Sequence, residues 1–518
     1  MDAPPTNRRG DRDHRGPLAR SVATARSRDR IDRGATACAL GTALALAAAA
    51  WLAGSGASGA RVSHVVLALA LAFLPYAGLT RARLHADPRV AIAIATGLAA
   101  LAGLALVLAP PVLSDDVWRY LWDARVLRHG IDPYAYAPDD PALAALRDAG
   151  HASINHPHLP TIYPPLAQLA FAAADLVAHA PWSMKLLALG AHLVTTPVVA
   201  HLARARAATI APLFVLNPLL LEEAALGGHV DAIAGLWVAL AVLALTRHGA
   251  TRGALAIGAA AATKLVGLVL LPLLASRRLE RRGLAIGIAL GVAAIAIVPI
   301  GSAGHARDRS SGLGAYASSW RGNDGGFALL AGASQLTLEL AGRASGAPAG
   351  WIRLPFLAPV VTLLDRSALD LHPRAEKKVV QRPTSFETRA LGELAARGLA
   401  LAIVLVVAIV HVRRRTPPLR AARDIVLALL LVSPQVHPWY LAWLVPIDLA
   451  AGGIVGLAWS AAILVAYAPL DGWIASRTWD ETVMARVVEY VIVGLALWVE
   501  RRRSRDSSRS PVRALARA

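Results

Sequence analysis

An all-α fold that threads a membrane many times is what this sequence predicts, and three observations predict it. The 518 residues are 56% hydrophobic and only 17% charged, too few polar side chains to coat one soluble globule. Runs of roughly 17–22 residues almost free of charge recur along the chain, each long enough to cross a hydrocarbon core of about 30 Å as a helix. Arginines gather between those runs rather than inside them. The count comes to about twelve or thirteen membrane segments.

Both ends lie outside this pattern. Residues 1–33, rich in Arg, Asp and Ser, read as a disordered basic tail, and residues 501–518 ("RRRSRDSSRSPVRALARA") read the same way. Lys and Arg beside membrane spans are retained in the cytoplasm, which places both tails there and leaves 34–500 as the membrane domain. The first run is too far from the start and too poorly flanked for a cleaved signal peptide. The net charge of +19 does not imply nucleic acid, because the arginines form no folded basic face interleaved with aromatics. Cys38 is the single cysteine, so no internal disulfide forms.

From that inside start, spans fall near 34–54, 61–80 and 89–110. The stretch 111–183 is then external, and connections of that length are usually functional. The chain returns at 184–204, meets "RARA" inside, and crosses out through "TIAPLFVLNPLLL", which puts "EEAALGGHVD" (Glu222–Asp231) outside. A span near 232–246 follows. Segment 252–275 has basic residues at both ends but the length of one crossing. Two half-helices that dip in and return, with Thr263 and Lys264 at the turn, reconcile this; a single crossing with inverted loop charge is the alternative. After a span near 284–300 comes a second external region, 301–390, with helices expected at 326–342 and 351–364. A span near 394–411, two helices that meet outside at "SPQVHPW", and spans near 454–470 and 483–499 complete the domain. No internal repeat is visible, which weighs against a transporter built from repeats.

The most informative external stretch is "SDDVWRYLWDARVLRHGIDPY", Ser114–Tyr134. Ser114 suits an N-cap, with Asp115 and Asp116 in the first turn of a helix to about Arg128. Val117, Tyr120, Leu121, Ala124 and Leu127 share one face; Asp116, Arg119 and Asp123 share the other. That pattern predicts a helix lying in the membrane interface. Two acids at a helix start ordinarily do no more than complement its dipole. Here they sit at head-group level beside Arg119 and Arg125, which suit a phosphate.

Five segments in order, "SDDVWRYLWDARVLRHGIDPYAYAPDDPAL", "HPHLPTIYPPLAQL", "LNPLLLEEAALGGHVDA", "AATKLVGLVLLPLL" and "SPQVHPWYLAWLVP", resemble bacterial GT-C-fold glycosyltransferases. The similarity is to glycosyltransferase family 87 and the polyprenyl-phosphomannose-dependent mannosyltransferases, over roughly residues 60–500. The charged insert near 365–390 has no counterpart. The resemblance implies an inverting transfer of a hexosyl residue, mannose by expectation, from a polyprenyl-phosphate sugar to a glycan or lipid-linked acceptor. The place implied is the outer, periplasmic face of a bacterial cytoplasmic membrane. It also implies that an acid in an early external loop is the base, here Asp115 or Asp116, and the adjacent pair leaves open which one acts. A lipid-linked sugar flippase or other transporter is the alternative of a different class.

For the donor phosphate the candidates are Arg119, Arg125, Lys264, Arg321 and His437. Each has a plainer role available: solvation of a helix face for the first two, a helix cap for His437. Lys264 interrupts an uncharged run, and an ionisable residue at depth is by default functional. Substrate contacts are expected from Glu222, His229, Asp231, Tyr163, Gln435 and Trp439. Tyr163 before Pro164 and Pro165 also suits a rigid helix start. His229 and Asp231 are a weak metal signal, so no metal and no other cofactor is expected. No glycine-rich phosphate loop is present, in keeping with a lipid-linked rather than a nucleotide donor.

Overall fold

The computed structural model describes residues 31–55, 62–275, 282–302, 316, 320–357, 385–476 and 478–509. Most of the first tail, residues 56–61 and 276–281, most of 301–319, most of the charged insert and residues 510–518 lie outside the described residues.

The chain is almost entirely helical, an all-α polytopic membrane fold. Among the described residues, five helices are long and apolar enough to cross a membrane: Arg33–Gly54, Pro88–Leu108, Pro181–Val215, Thr388–Arg413 and Val455–Ser476. Shorter apolar helices, such as Val62–Gly78 and Asp231–Thr246, pack among them. Beyond the break expected at Thr263 and Lys264, the structure interrupts other expected segments. "TIAPLFVLNPLLL" is interrupted at Asn217, whose side chain accepts from the Leu220 N–H and starts a new short helix, Pro218–Glu222.

Packing follows membrane rules, with small residues inside and large ones outside. Ala35 and Ala39, then Ala91, Ala95 and Ala99, are buried at four-residue spacing, so the first three helices approach closely. Leu74, Leu101 and Leu108 point outward, Leu108 being 83% exposed, as a lipid-facing surface requires.

The break at Lys264 falls where the charge pattern placed it. Helix Ala250–Thr263 ends, Lys264 is extended (φ −151°, ψ 135°), and a 3₁₀ helix, Leu265–Ala275, folds back on its predecessor. A Cβ on Gly267 would collide with the Ile257 carbonyl and the Ala261 amide, so only glycine permits this hairpin.

Three expectations are corrected. Segment 351–364 does not begin as a helix: Trp351–Arg353 is a strand paired antiparallel with Ser385–Glu387, because Gly350 (φ +80°) and Pro355 bracket it. The tail at 501–518 starts in helix, since Val483–Arg509 is continuous and Arg502 lies 3.8 Å from the Trp498 ring centroid. The helix Asp116–Arg128 does not lie on the interface with one face wet. Val117, Tyr120 and Ala124 on one side and Arg119 and Asp123 on the other are all buried, because the strap 154–164 folds over its polar face.

Candidate functional site

That strap is fastened through Asp123. Arg119 Nε donates to Asp123 Oδ1 at 2.9 Å and Nη1 to the Leu159 carbonyl at 3.1 Å. Thr161 and Gln168 donate to Asp123 Oδ2 at 2.5 and 3.0 Å. Arg119 Nη2 is left buried without a hydrogen bond, and Arg119 borders the main cavity. The strap ends at Tyr163, held by the Tyr134 hydroxyl on its carbonyl at 2.8 Å, just before the proline-started helix Pro165–Val177. The expected rigid helix start is present.

With the strap in place, the two aspartates are held as a pair. Ser114 Oγ accepts from the Asp116 N–H at 3.2 Å, but the expected N-cap is displaced by one residue: the helix begins at Asp116, so Asp115 is the N-cap, with no side-chain cap bond of its own. Asn155 Nδ2 donates to Asp115 Oδ1 at 2.6 Å and to Asp116 Oδ1 at 3.2 Å. The second oxygen of Asp116 turns inward, with the Tyr120 and Tyr163 hydroxyls each at 3.4 Å and His229 Nδ1 at 3.7 Å. Burial and the neighbouring Asp116 charge raise Tyr163 well above the ordinary phenol range, so it is a hydrogen-bond donor at physiological pH.

The hairpin break brings in Lys264, whose Nζ donates to Asp231 Oδ2 at 3.1 Å and lies 5.4 Å from the ring centroids of both Tyr163 and Tyr440. Asp231 opens the helix Asp231–Thr246. Before it, a π-helical turn, Glu223–Gly227, and left-handed Gly228 (φ +70°) swing His229 inward. His229 stacks on Trp439 at 3.9 Å and 11°, and Trp439 on His437 at 4.2 Å and 7°. The loop carrying these rings is pinned to a distant segment: Gly322 N–H donates to the Pro434 carbonyl at 3.2 Å, and Val436 N–H to the Gly322 carbonyl at 3.0 Å. Within it, the Gln435 amide donates to His437 Nε2 at 2.6 Å. Burial lowers His437 well below the ordinary imidazole range, which makes it a neutral hydrogen-bonding group rather than a cation.

These elements enclose a cavity of about 1290 Å³. Of the residues expected from sequence, Asp115, Asp116, Arg119, Tyr163, Lys264, Arg321, Gln435, His437 and Trp439 line it. Arg321 does so with its guanidinium engaged, at 2.7 Å from Asp324 and 3.0 Å from Glu393. His229 and Asp231 form the layer behind the wall, and Glu222 lies deeper, its Oε2 3.4 Å from the Tyr467 hydroxyl. Arg125 is turned away, bonded to Asp148 at 2.7 Å and the Leu146 carbonyl at 2.9 Å beside a separate 70 Å³ cavity. Sequence reasoning missed Asn155, Tyr316 and Tyr440; the last two share a 2.6 Å hydroxyl contact at the cavity wall. Asn155 adjoins the quoted "HPHLPTIYPP" and Tyr440 lies within "SPQVHPWY", so both were within reach as polar residues of those islands. Among the described residues, no cluster of three or more His, Cys, Asp or Glu side chains is arranged to hold a metal ion.

Residues 33–279 match the family model described as alpha-(1->6)-mannopyranosyltransferase, N-terminal domain. This supports a glycosyltransferase of a mannosyl-transferring family. The matched span holds both aspartates, the strap, the Glu222–Asp231 turn and Lys264; the loop of His437 and Trp439 lies beyond it. Glycosyltransferase family 87 is not the family that matches. No curated protein and no solved structure gives a significant match.

Proposed function

We propose that this protein is an inverting membrane mannosyltransferase. It moves a mannosyl residue from a polyprenyl-phosphate sugar to a glycan or lipid-linked acceptor, within a GT-C architecture of the kind found in glycosyltransferase family 87. The observation that carries this reading is the composition of the cavity. Its lining combines Asp115, Asp116, Arg119 and Lys264 with Leu52, Val62, Val65, Leu470 and Ile474. An apolar wall opening onto paired carboxylates and cations suits a lipid chain that ends in a phosphate. Its volume exceeds the roughly 300–1,000 Å³ of ordinary small-molecule sites, which leaves room for a donor and an acceptor together.

In this reading Asp116 is the base, because its Oδ2 faces the ring of phenols while Asn155 holds Asp115 at the edge. The acceptor oxygen attacks the anomeric carbon as its proton passes to Asp116 and the bond to phosphate breaks. Attack from the face opposite the phosphate inverts the anomeric configuration. Arg119, through its unpaired Nη2, and Lys264 stabilise the departing phosphate, an electrostatic contribution that is usually large. The site faces the periplasm, with both termini in the cytoplasm, and this follows from the loop charges.

The test is transfer in proteoliposomes supplied with labelled polyprenyl-phosphate mannose and membrane glycolipid acceptors. Labelled glycoside with inverted configuration is expected. Movement of the labelled lipid to the other leaflet without any glycoside would overturn the reading in favour of a flippase.

A further inference from the structure

Behind the proposed base lies a histidine with no ordinary structural employment. His229 is 1% exposed, and neither of its ring nitrogens has a hydrogen-bond partner of proper geometry. A buried polar atom left in that state is costly unless it is used. The buried His192 shows the usual arrangement, its Nε2 bonded to the Val215 carbonyl at 3.0 Å. His229 instead lies between two acids, Nδ1 at 3.7 Å from Asp116 Oδ2 and Nε2 at 3.3 Å from Glu223 Oε2.

The backbone is shaped to seat this ring. A Cβ on Gly227 would stand 2.5 Å from His229 Cδ2 and 2.7 Å from Nε2, and one on Gly228 2.8 Å from Lys185 Cγ. Trp439 covers the ring face. Beyond Glu223 the path continues, since the Tyr467 hydroxyl donates to Glu223 Oε1 and lies 3.4 Å from Glu222 Oε2. The charged groups that face the ring are Asp116 from its helix, Glu223 from the π turn and Lys264 from the hairpin break.

We propose that His229 is a positioning and relay residue for Asp116, passing the acceptor's proton inward to Glu223; the inference rests on the role given to Asp116 above. The relay starts from a neutral imidazole with its proton on Nε2, toward Glu223, and the Nδ1 lone pair toward Asp116; burial and the neighbouring Glu222 raise Glu223, and the Nε2 proton and the Tyr467 hydroxyl are what hold it as a carboxylate at the start. When the acceptor O–H bond breaks, the proton goes to Asp116 Oδ2. It moves on to Nδ1 as the Nε2 proton moves to Glu223 Oε2. Asp116 is again a carboxylate, Glu223 is neutral, and His229 is neutral in its other tautomer, so charge and protons balance. The proton is thereby withheld from the new glycosidic oxygen while the phosphate departs. It returns by the same path to the product phosphate or to water.

The experiment uses the full chain in nanodiscs, with single-turnover transfer from labelled polyprenyl-phosphate mannose in mixtures of H₂O and D₂O. The wild type is expected to give a curved proton inventory, from two protons in flight. His229→Gln and Glu223→Gln are expected to lower the transfer rate by about tenfold or more, with donor and acceptor KM unchanged and a linear inventory. Imidazole in the buffer restores rate to His229→Ala. An unchanged rate and inventory in His229→Gln overturns the relay, as does a rate loss that follows thermal instability and resists imidazole. Asp116→Asn, measured beside them, separates the two readings. If it keeps the wild-type rate, or if the wild type transfers nothing, the base assignment fails and the relay with it. If it abolishes transfer while His229→Gln is unaffected, the relay alone fails.

Discussion

Which of two adjacent carboxylates acts is decided by replacing each with its amide. Asp116→Asn keeps shape and keeps an oxygen for the Tyr120 and Tyr163 hydroxyls, whose 3.4 Å contacts are already long; folding therefore changes little. It removes the proton acceptor. A general base contributes typically 10²–10⁴ in rate, which at about 1.36 kcal/mol per tenfold is about 2.7–5.5 kcal/mol of barrier. Asp115→Asn also keeps an oxygen for Asn155 but removes the charge from that 2.6 Å bond, the difference between about 1.5–3 and about 0.5–1.5 kcal/mol, mostly as stability. Its effect on the acceptor's proton is indirect, through the second bond of Asn155 to Asp116 at 3.2 Å, and is expected to stay within about tenfold in rate. Asn155→Ala should resemble Asp115→Asn. The assay is the initial rate of labelled mannosyl transfer at saturating donor, beside thermal unfolding in the same nanodiscs. A larger rate loss for Asp115→Asn than for Asp116→Asn, with both proteins folded, would refute the assignment of Asp116.

Other perturbations test the surrounding structure. Lys264→Met strands Asp231, which is fully buried, at a cost of about 3–5 kcal/mol. Adding Asp231→Asn should restore the unfolding temperature but not transfer, if the ammonium serves the phosphate. Gly235→Ala would drive a Cβ into the Ala442 carbonyl, whereas a Cβ at Gly190 meets nothing within 4 Å. The first should destabilise by about 1–3 kcal/mol, and Gly190→Ala should be neutral or stabilising by about 0.5–1 kcal/mol in the same unfolding assay. Partial burial acts to raise Asp148, but the hydrogen bond from His179 and the Arg125 charge outweigh it and hold the carboxyl below its ordinary value. Its stabilising effect is present above the unfolded pKa and fades as pH falls through the folded one. Between about pH 5 and about pH 3 the wild type should lose more unfolding temperature than Asp148→Asn does.

Much of this was legible in sequence because charges in an apolar chain are informative. Lys264 marked the backbone break before any geometry, and the long stretch 111–183 holds many of the residues that line the main cavity. The failures have physical causes. The helix Asp116–Arg128 looked interfacial because periodicity reports which residues share a face, not what covers that face. The polar side is buried only because Asp123 captures Thr161 and Gln168, about 40 positions away. Arg125 was grouped with Arg119 on chemistry alone, yet it lies six positions on and turns to Asp148. Asn155 carried no pattern of its own; its role exists only once the strap brings it to the paired acids.

The placement of the cavity follows from a constraint the membrane imposes. Backbone groups freed at a helix break within apolar surroundings must be covered by protein or face a wet cavity. The cavity wall and the layer behind it are built from such breaks: the helix start at Asp116, the π turn and Gly228 before His229, the extended Lys264, and the loop 433–437 before the short 3₁₀ turn Pro438–Tyr440. Each break projects a polar or aromatic side chain that a continuous helix would have directed into lipid or core. Drawn from four separated stretches of chain, these side chains meet because their breaks need the same shelter. Mending one break should therefore damage the site more than its side chain alone would suggest. Gly228→Ala tests this, since it strains the φ of +70° and presses on Lys185 while leaving every proposed catalytic group in place. Transfer should fall by more than any drop in unfolding temperature accounts for, and a Gly228→Ala protein that transfers at the wild-type rate would show that the break itself is dispensable.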